Sequence, residues 1–151
     1  MGTQRQERYE RQDAMHIVST TLLAGYCSLL FFGTHWPWIP TQPDWFRVPH
    51  GLSLAPDKLA HIGAFALLAL VVAIWYRARR PQFTWKHYAT VAAILAIYAP
   101  LDELSQYLVP RRTPDVYDFI ANLAGIGLGL AAFYLASLCL IALKPRRSAW
   151  H

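Results

Sequence analysis

Charged residues are scarce in this chain of 151 residues, and cysteine is scarcer still. Asp, Glu, Lys and Arg make up 15% of the sequence, whereas soluble domains typically carry roughly 25%. A water-soluble fold of this composition would have too little polar surface to cover itself. The two cysteines, Cys27 and Cys139, both lie in apolar segments, which argues against a structural disulfide.

The sequence also lacks the short motifs that mark common active sites. We find no HExxH, Cys-x-x-Cys, Gly-x-Ser-x-Gly or phosphate-loop pattern. A histidine beside several acids is weak evidence for a metal, so we predict neither a metal nor a cofactor. The formal net charge is +5, but the basic residues flank the apolar segments. We therefore expect no nucleic-acid partner.

The apolar residues fall into four segments that are long enough to cross a bilayer as helices. The predicted spans are 15–34, 57–76, 85–109 and 115–143. We therefore predict an all-α membrane protein, a four-transmembrane-helix bundle over 15–143. Residues 1–14 and 144–151 lie outside it, and 35–56 form an outer loop rich in Pro and Trp. This loop is either an aromatic anchor at the headgroups or a lid.

The distribution of basic residues predicts the orientation of this bundle. Ten of the 14 Lys and Arg residues lie in the segments 1–14, 77–86 and 144–151. Because cytoplasmic segments carry an excess of Lys and Arg, both termini are predicted to be cytoplasmic. The loop at 35–56 and the turn at 110–114 then face outward.

Polar side chains gather at this outward side of the spans. Lys58 and His61 are three residues apart at the start of the second span, so they share one helix face. Asp102, Glu103 and Gln106 lie in the outer half of the third span. A carboxylate at that depth is costly unless it has a partner, so this cluster predicts the functional site.

The turn and the fourth span add further polar residues. Asp118 and Asn122 lie one helical turn apart, followed by Gly125 and Gly129, whose spacing allows close helix packing. Arg112 is suited to gripping a phosphate or carboxylate with its guanidinium. We expect the cations Lys58, His61 and Arg112 to pair with Asp102. The alternative is a buried ion-pair network that only fixes the helix packing.

Three motifs run in order across residues 57–130. They are Asp57-Lys58-x-x-His61-x-x-x-Phe65, Asp102-Glu103-x-x-Gln106-x-x-x-Pro110-x-Arg112, and Asp118-x-x-x-Asn122-x-x-Gly125-x-x-x-Gly129. In these residues and spacings the chain resembles the VanZ-like family. One departure is Arg111, which stands where the family often has Gly and makes the turn stiffer and more basic.

The resemblance implies a small, multi-pass protein of the bacterial cytoplasmic (inner) membrane. The member that gives the family its name is associated with resistance to the glycopeptide teicoplanin, without a settled molecular activity. The polar signature of the family falls on these binding-site candidates: Lys58, His61, Asp102, Glu103, Gln106, Arg112, Asp118 and Asn122.

Three functions are compatible with such a site. The first is binding of an anionic lipid-linked envelope component, with Lys58 and Arg112 as anion contacts; membrane lipids, a lipid-linked precursor or a glycopeptide are the expected partners. The second is an enzyme acting on a lipid headgroup, with His61 or Glu103 as general acid or base and Asp102 tuning it. A proton-coupled transporter is less favoured, because the polar residues do not continue through the cytoplasmic half of the spans. The sequence predicts no oligomeric state.

Overall fold

A computed structural model describes residues 2–35, 56–80, 82–110 and 115–143. Within these ranges the chain is all-α, as predicted. The α-helices are α1 (Gly2–His35), α2 (Pro56–Arg79), α3 (Trp85–Ser105) and α4 (Val116–Ala142), and a 3₁₀ turn at Gln106–Leu108 follows α3. The predicted outer loop lies outside the described residues except for its two ends. The tail at 144–151, Arg111 and Arg112 lie outside them as well.

Three of the helices, α1, α2 and α4, are long and apolar enough to cross a membrane. The longest, α1, also takes in the polar segment before Met15. In α3, Pro100, Asp102 and Glu103 interrupt the apolar sequence of its last third. Many large apolar side chains on these helices are exposed, as lipid-facing residues of a membrane protein would be. The chain is therefore a multi-pass membrane protein.

Among the described helices, α2 and α4 pack most closely. A Cβ placed on Gly125 would meet the backbone oxygen of Ile62, and one placed on Gly129 would meet that of Ala66. Gly127 lies on another face of α4, where an added Cβ meets no described atom within 4 Å. The two close-packed glycines thus let the backbones of α2 and α4 touch, as small residues do in membrane helices.

Side chains from all four helices form the apolar core. Phe65 of α2 and Val91 of α3 are fully buried, and Ile126 of α4 and Leu30 of α1 pack into the same cluster. The first helix is also fastened to the second, because Tyr26 Oη donates a hydrogen bond of 2.6 Å to the carbonyl oxygen of Ala64.

Arg79, in the last turn of α2, holds α1 and α2 together at that end of the bundle. The Arg79 guanidinium donates to Ser19 Oγ at 3.2 Å and to Thr20 Oγ1 at 2.6 Å. It also lies over the ring of Trp75, 4.1 Å from its centroid. Because Arg79 is in the last turn of α2, its charge suits the negative end of that helix dipole.

Candidate functional site

Asp115 joins three helices at the start of α4. Its Oδ1 accepts the backbone N–H of Tyr117 at 2.8 Å, which makes it the N-cap of α4. Its own N–H donates to Glu103 Oε1 of α3 at 2.7 Å, and its Oδ2 accepts from Lys58 Nζ of α2 at 2.6 Å. Since an N-cap satisfies a backbone donor of the first turn, Asp115 fixes the start of α4. The same residue also connects α4 to α2 and α3.

Lys58 binds three acidic side chains. Its Nζ lies 3.4 Å from Asp57 and 2.6 Å from Asp115, and it also donates to Asp118 Oδ1. The Lys58 side chain is only 18% exposed. Two of the three ammonium donors are hydrogen-bonded to Asp115 and Asp118, and Asp57 is close by, so an anionic ligand would compete with these carboxylates for Lys58.

His61 is held between two residues of α4. Its Nδ1 donates to Asn122 Oδ1 at 3.0 Å, because an amide oxygen can only accept. Its Nε2 lies 3.6 Å from Asp118 Oδ2. Asn122 therefore fixes the orientation of the imidazole and leaves Nε2 to exchange a proton or to pair with a carboxylate.

These contacts bring residues of α2, α3 and α4 into one cluster, which we term the α2–α4 group. It consists of Asp57, Lys58, His61, Glu103, Asp115, Asp118 and Asn122. Two of its atoms, Glu103 Oε2 and Asn122 Nδ2, are buried without a hydrogen-bond partner among the described residues. Asp57 Oδ1 shares this property, but the Asp57 side chain is 26% exposed.

Asp102 belongs to a second cluster, although it precedes Glu103 in the chain. Its Oδ1 accepts from Thr34 Oγ1 of α1 at 3.3 Å and from Tyr98 Oη at 3.2 Å, and its Oδ2 accepts from Gln106 Nε2 at 3.5 Å. Asp102 is 3% exposed. A buried carboxylate needs such donors to offset its loss of hydration.

Beside Asp102, His35 extends the contact between α1 and α3. Its Nε2 lies 2.8 Å from Ser105 Oγ, which in turn donates to the backbone oxygen of Asp102 at 2.6 Å. We term this cluster the α1–α3 group; it consists of Thr34, His35, Tyr98, Asp102, Ser105 and Gln106.

The predicted pairing of Asp102 with Lys58 and His61 is therefore wrong. Both basic residues contact the acidic side chains at the start of α4, because the glycine-mediated packing brings α2 against α4 at that point. Asp118 and Asn122 do lie against Lys58 and His61, whereas Gln106 lies beside Asp102. Arg112 lies outside the described residues.

Four residues of the α1–α3 group are not among the predicted site residues: Thr34, His35, Tyr98 and Ser105. The sequence contains a signal for Tyr98, since it precedes Asp102 by four residues and so shares its helix face. It contains none for Thr34 and His35, because their contacts join residues 68 and 70 positions apart in the chain.

The contacts of Asp115 lower the pKa of its carboxyl group. Burial alone would raise the pKa of this carboxyl group. The hydrogen bond from Lys58, the backbone N–H of Tyr117 and the charge of Lys58 outweigh burial, so the pKa lies below its ordinary value of 3.8.

Among the described residues no group of three or more His, Cys, Asp or Glu side chains is placed to hold a metal ion.

Comparison with known proteins assigns the chain to a family. The family model described as VanZ/LLP1 matches residues 3–139, from the beginning of α1 to near the end of α4. The matched region contains both polar groups and the turn with Arg112. Neither the curated proteins nor the solved structures include a significant match to the chain.

Proposed function

The chain belongs to the VanZ/LLP1 family, and from this membership we propose that it spans the bacterial cytoplasmic membrane four times, with both termini in the cytoplasm. Helices α1, α2 and α4 have the length and composition of spans. We assign α3 as the fourth, because its 21 residues are long enough and its acidic side chains are buried against neighbouring helices.

Single cysteines on either side of α3 test this topology. Gln82 lies between α2 and α3, and Tyr107 lies just after α3; both are exposed. In a background without Cys27 and Cys139, an impermeant thiol reagent applied to intact cells should label a cysteine at 107 but not one at 82. Labelling of both positions, or of neither, would contradict a fourth span.

We further propose that the outward end of the bundle binds an anionic lipid-linked component of the cell envelope. The observation that carries this proposal is the α2–α4 group, a polar cluster in which buried atoms lack a hydrogen-bond partner among the described residues; the basic residues Arg111 and Arg112 precede α4 in the sequence. Lys58 is held by three acids, so the phosphate contact falls to Arg112, whose guanidinium can bind it with two hydrogen bonds. The association of the family name with teicoplanin resistance favours a lipid-linked wall precursor as the ligand.

Lipid binding by Arg112→Ala tests this assignment. Titration of purified protein in nanodiscs with anionic lipids should show weaker binding than the wild type, by about tenfold for one lost charged contact. Arg147→Ala, a change in the tail predicted to be cytoplasmic, is the control and should bind normally. If Arg112→Ala keeps its affinity for every anionic lipid tested, the role of Arg112 is refuted.

A second candidate function, acid–base catalysis on the bound headgroup, is supported by the orientation of His61. Its Nδ1 is fixed by Asn122 and its Nε2 faces Asp118, an arrangement in which Nε2 can take or give a proton. With radiolabelled envelope lipid, His61→Gln should abolish turnover and retain binding. A protein that only binds would show no turnover even as wild type.

A further inference from the structure

Two buried side chains of the α2–α4 group each have one polar atom in use and one unpartnered. Glu103 is 5% exposed and Asn122 is 0% exposed. Glu103 Oε1 accepts the backbone N–H of Asp115, and Asn122 Oδ1 accepts from His61. The other atom of each, Glu103 Oε2 and Asn122 Nδ2, has no hydrogen-bond partner in the described parts of the chain. Buried polar atoms are nearly always paired, so these two point to a missing partner.

Both atoms belong to the same locality. Asn122 follows Asp118 by one turn of α4 and contacts His61. The carboxylate of Glu103 interacts electrostatically with the same two residues, Asp118 and His61. One of the two unpartnered atoms is an acceptor and the other is a donor.

The charges of this locality restrict what the partner can be. Among the described residues, four acidic side chains, those of Asp57, Glu103, Asp115 and Asp118, accompany two basic ones, Lys58 and His61. An anionic group would be repelled there, because the one lysine is already occupied by carboxylates. An ammonium group would satisfy Glu103 but would leave the Asn122 amide without an acceptor. One hydroxyl group can donate a hydrogen bond to Glu103, and a second hydroxyl group can accept one from Asn122.

We propose that the buried end of this site recognises the hydroxyl groups of a polyol headgroup, such as glycerol or a sugar. The inference rests on the proposed function, which assigns the phosphate of the same ligand to Arg112. It divides recognition between that charged phosphate and the uncharged hydroxyl groups, which would bind between Glu103 and Asn122.

Three lipids that differ only in the headgroup test the division. Phosphatidylglycerol and phosphatidylethanol carry the same phosphodiester charge, but only the former has free hydroxyls; phosphatidylethanolamine carries an ammonium instead. Native mass spectrometry of the full chain in nanodiscs should show phosphatidylglycerol binding about tenfold more tightly than phosphatidylethanol, the effect of one or two hydrogen bonds. Equal binding of these two lipids would overturn the inference and leave the proposed function intact, whereas binding of no anionic lipid would overturn the proposed function.

Two near-isosteric variants reverse the hydrogen-bonding character at each position. Glu103→Gln keeps an acceptor for Asp115 and replaces the unpartnered acceptor by a donor. Asn122→Asp keeps the acceptor for His61 and replaces the unpartnered donor by an acceptor. Each should lower the ratio of phosphatidylglycerol to phosphatidylethanol affinity towards one, and either variant suffices if the other does not fold. Tyr98→Phe, in the α1–α3 group, is the control and should keep the wild-type ratio.

The affinity ratio in the variants and competition by the free headgroup each support or overturn the inference. An unchanged ratio in both Glu103→Gln and Asn122→Asp, or a wild-type preference for phosphatidylethanolamine, would overturn hydroxyl recognition. Competition by free glycerophosphoglycerol would support it and identify the headgroup alone as sufficient. A preference for phosphatidylglycerol without such competition would also support it, and would identify the intact lipid as the ligand.

Discussion

Asp102 and Glu103 are neighbours in sequence, equally buried, and lie in two different surroundings. Asp102 faces α1 and accepts hydrogen bonds on both carboxylate oxygens from three side chains. Glu103 faces α4, and only one of its oxygens is bonded among the described residues. Since adjacent helix positions point about 100° apart, a single segment of α3 serves two clusters with different neighbours.

The difference indicates two roles. A carboxylate whose oxygens are both bonded by its own protein has little left to offer a ligand, so the α1–α3 group is suited to holding α1 against α3. The α2–α4 group combines an excess of acidic residues with buried atoms that have no hydrogen-bond partner among the described residues, a combination that requires an explanation beyond helix packing. The comparison therefore favours helix packing as the role of Asp102 and agrees with the ligand contact that we propose for Glu103.

The largest effect is expected from Lys58→Met, which breaks the α2–α4 group. Removing the cation leaves three carboxylates in close proximity, so we expect a loss of roughly 3 kcal/mol in the free energy of unfolding. Thermal unfolding in detergent measures this loss.

Lys86→Met is the matched control for that change. Lys86 is exposed near the start of α3 and makes no ion pair within the described residues. It should unfold like the wild type. Equal loss of stability in both variants would mean that the Lys58 contacts contribute nothing specific.

The next effect is expected from Gly129→Ala, which pushes α4 away from α2. The added methyl group would overlap the backbone oxygen of Ala66, so we expect a loss of about 2 kcal/mol from overpacking. The same substitution at Gly127 meets open space and should be neutral or stabilising by up to about 1 kcal/mol, because Ala favours a helix. A Gly129→Ala protein as stable as Gly127→Ala would refute the close α2–α4 contact.

Much of this fold follows from local features of the sequence. The apolar segments and their flanking charges predict the helices, and the spacing of Gly125 and Gly129 predicts a close helix contact. Asp118 and Asn122 share a helix face, and their contacts with α2 then follow from that packing.

The partners of each acid could not be predicted in the same way. Which neighbour Asp102 faces depends on the rotation of α3 about its axis, and helical periodicity fixes only the angle between Asp102 and Glu103, not that rotation. The role of Thr34 depends on how α1 is placed beside α3, which no short-range pattern in the sequence specifies.

A smaller effect is expected in the α1–α3 group from Tyr98→Phe. The change removes the hydrogen bond of 3.2 Å to Asp102 but leaves those from Thr34 and Gln106, so we expect a loss of about 1 kcal/mol. Thermal unfolding should separate this variant from Tyr107→Phe, which alters an exposed tyrosine after α3. Identical melting curves for the two variants would remove the argument that Asp102 needs all of its donors.

The smallest effect concerns the pH dependence contributed by Asp115. Because its pKa in the folded protein lies below the ordinary value of 3.8, its charge stabilises the fold above that value, and the stabilisation is lost as the pH falls through the folded pKa. Asn at this position keeps the helix cap but not the charge. We expect the wild type to exceed Asp115→Asn in stability by less than about 1 kcal/mol at neutral pH, since the Asp115 side chain is 38% exposed. Unfolding curves from pH 7 down to about pH 3 should converge as the carboxylate is protonated, and a gap that stays constant over this range would show that the Lys58–Asp115 pair does not stabilise the fold.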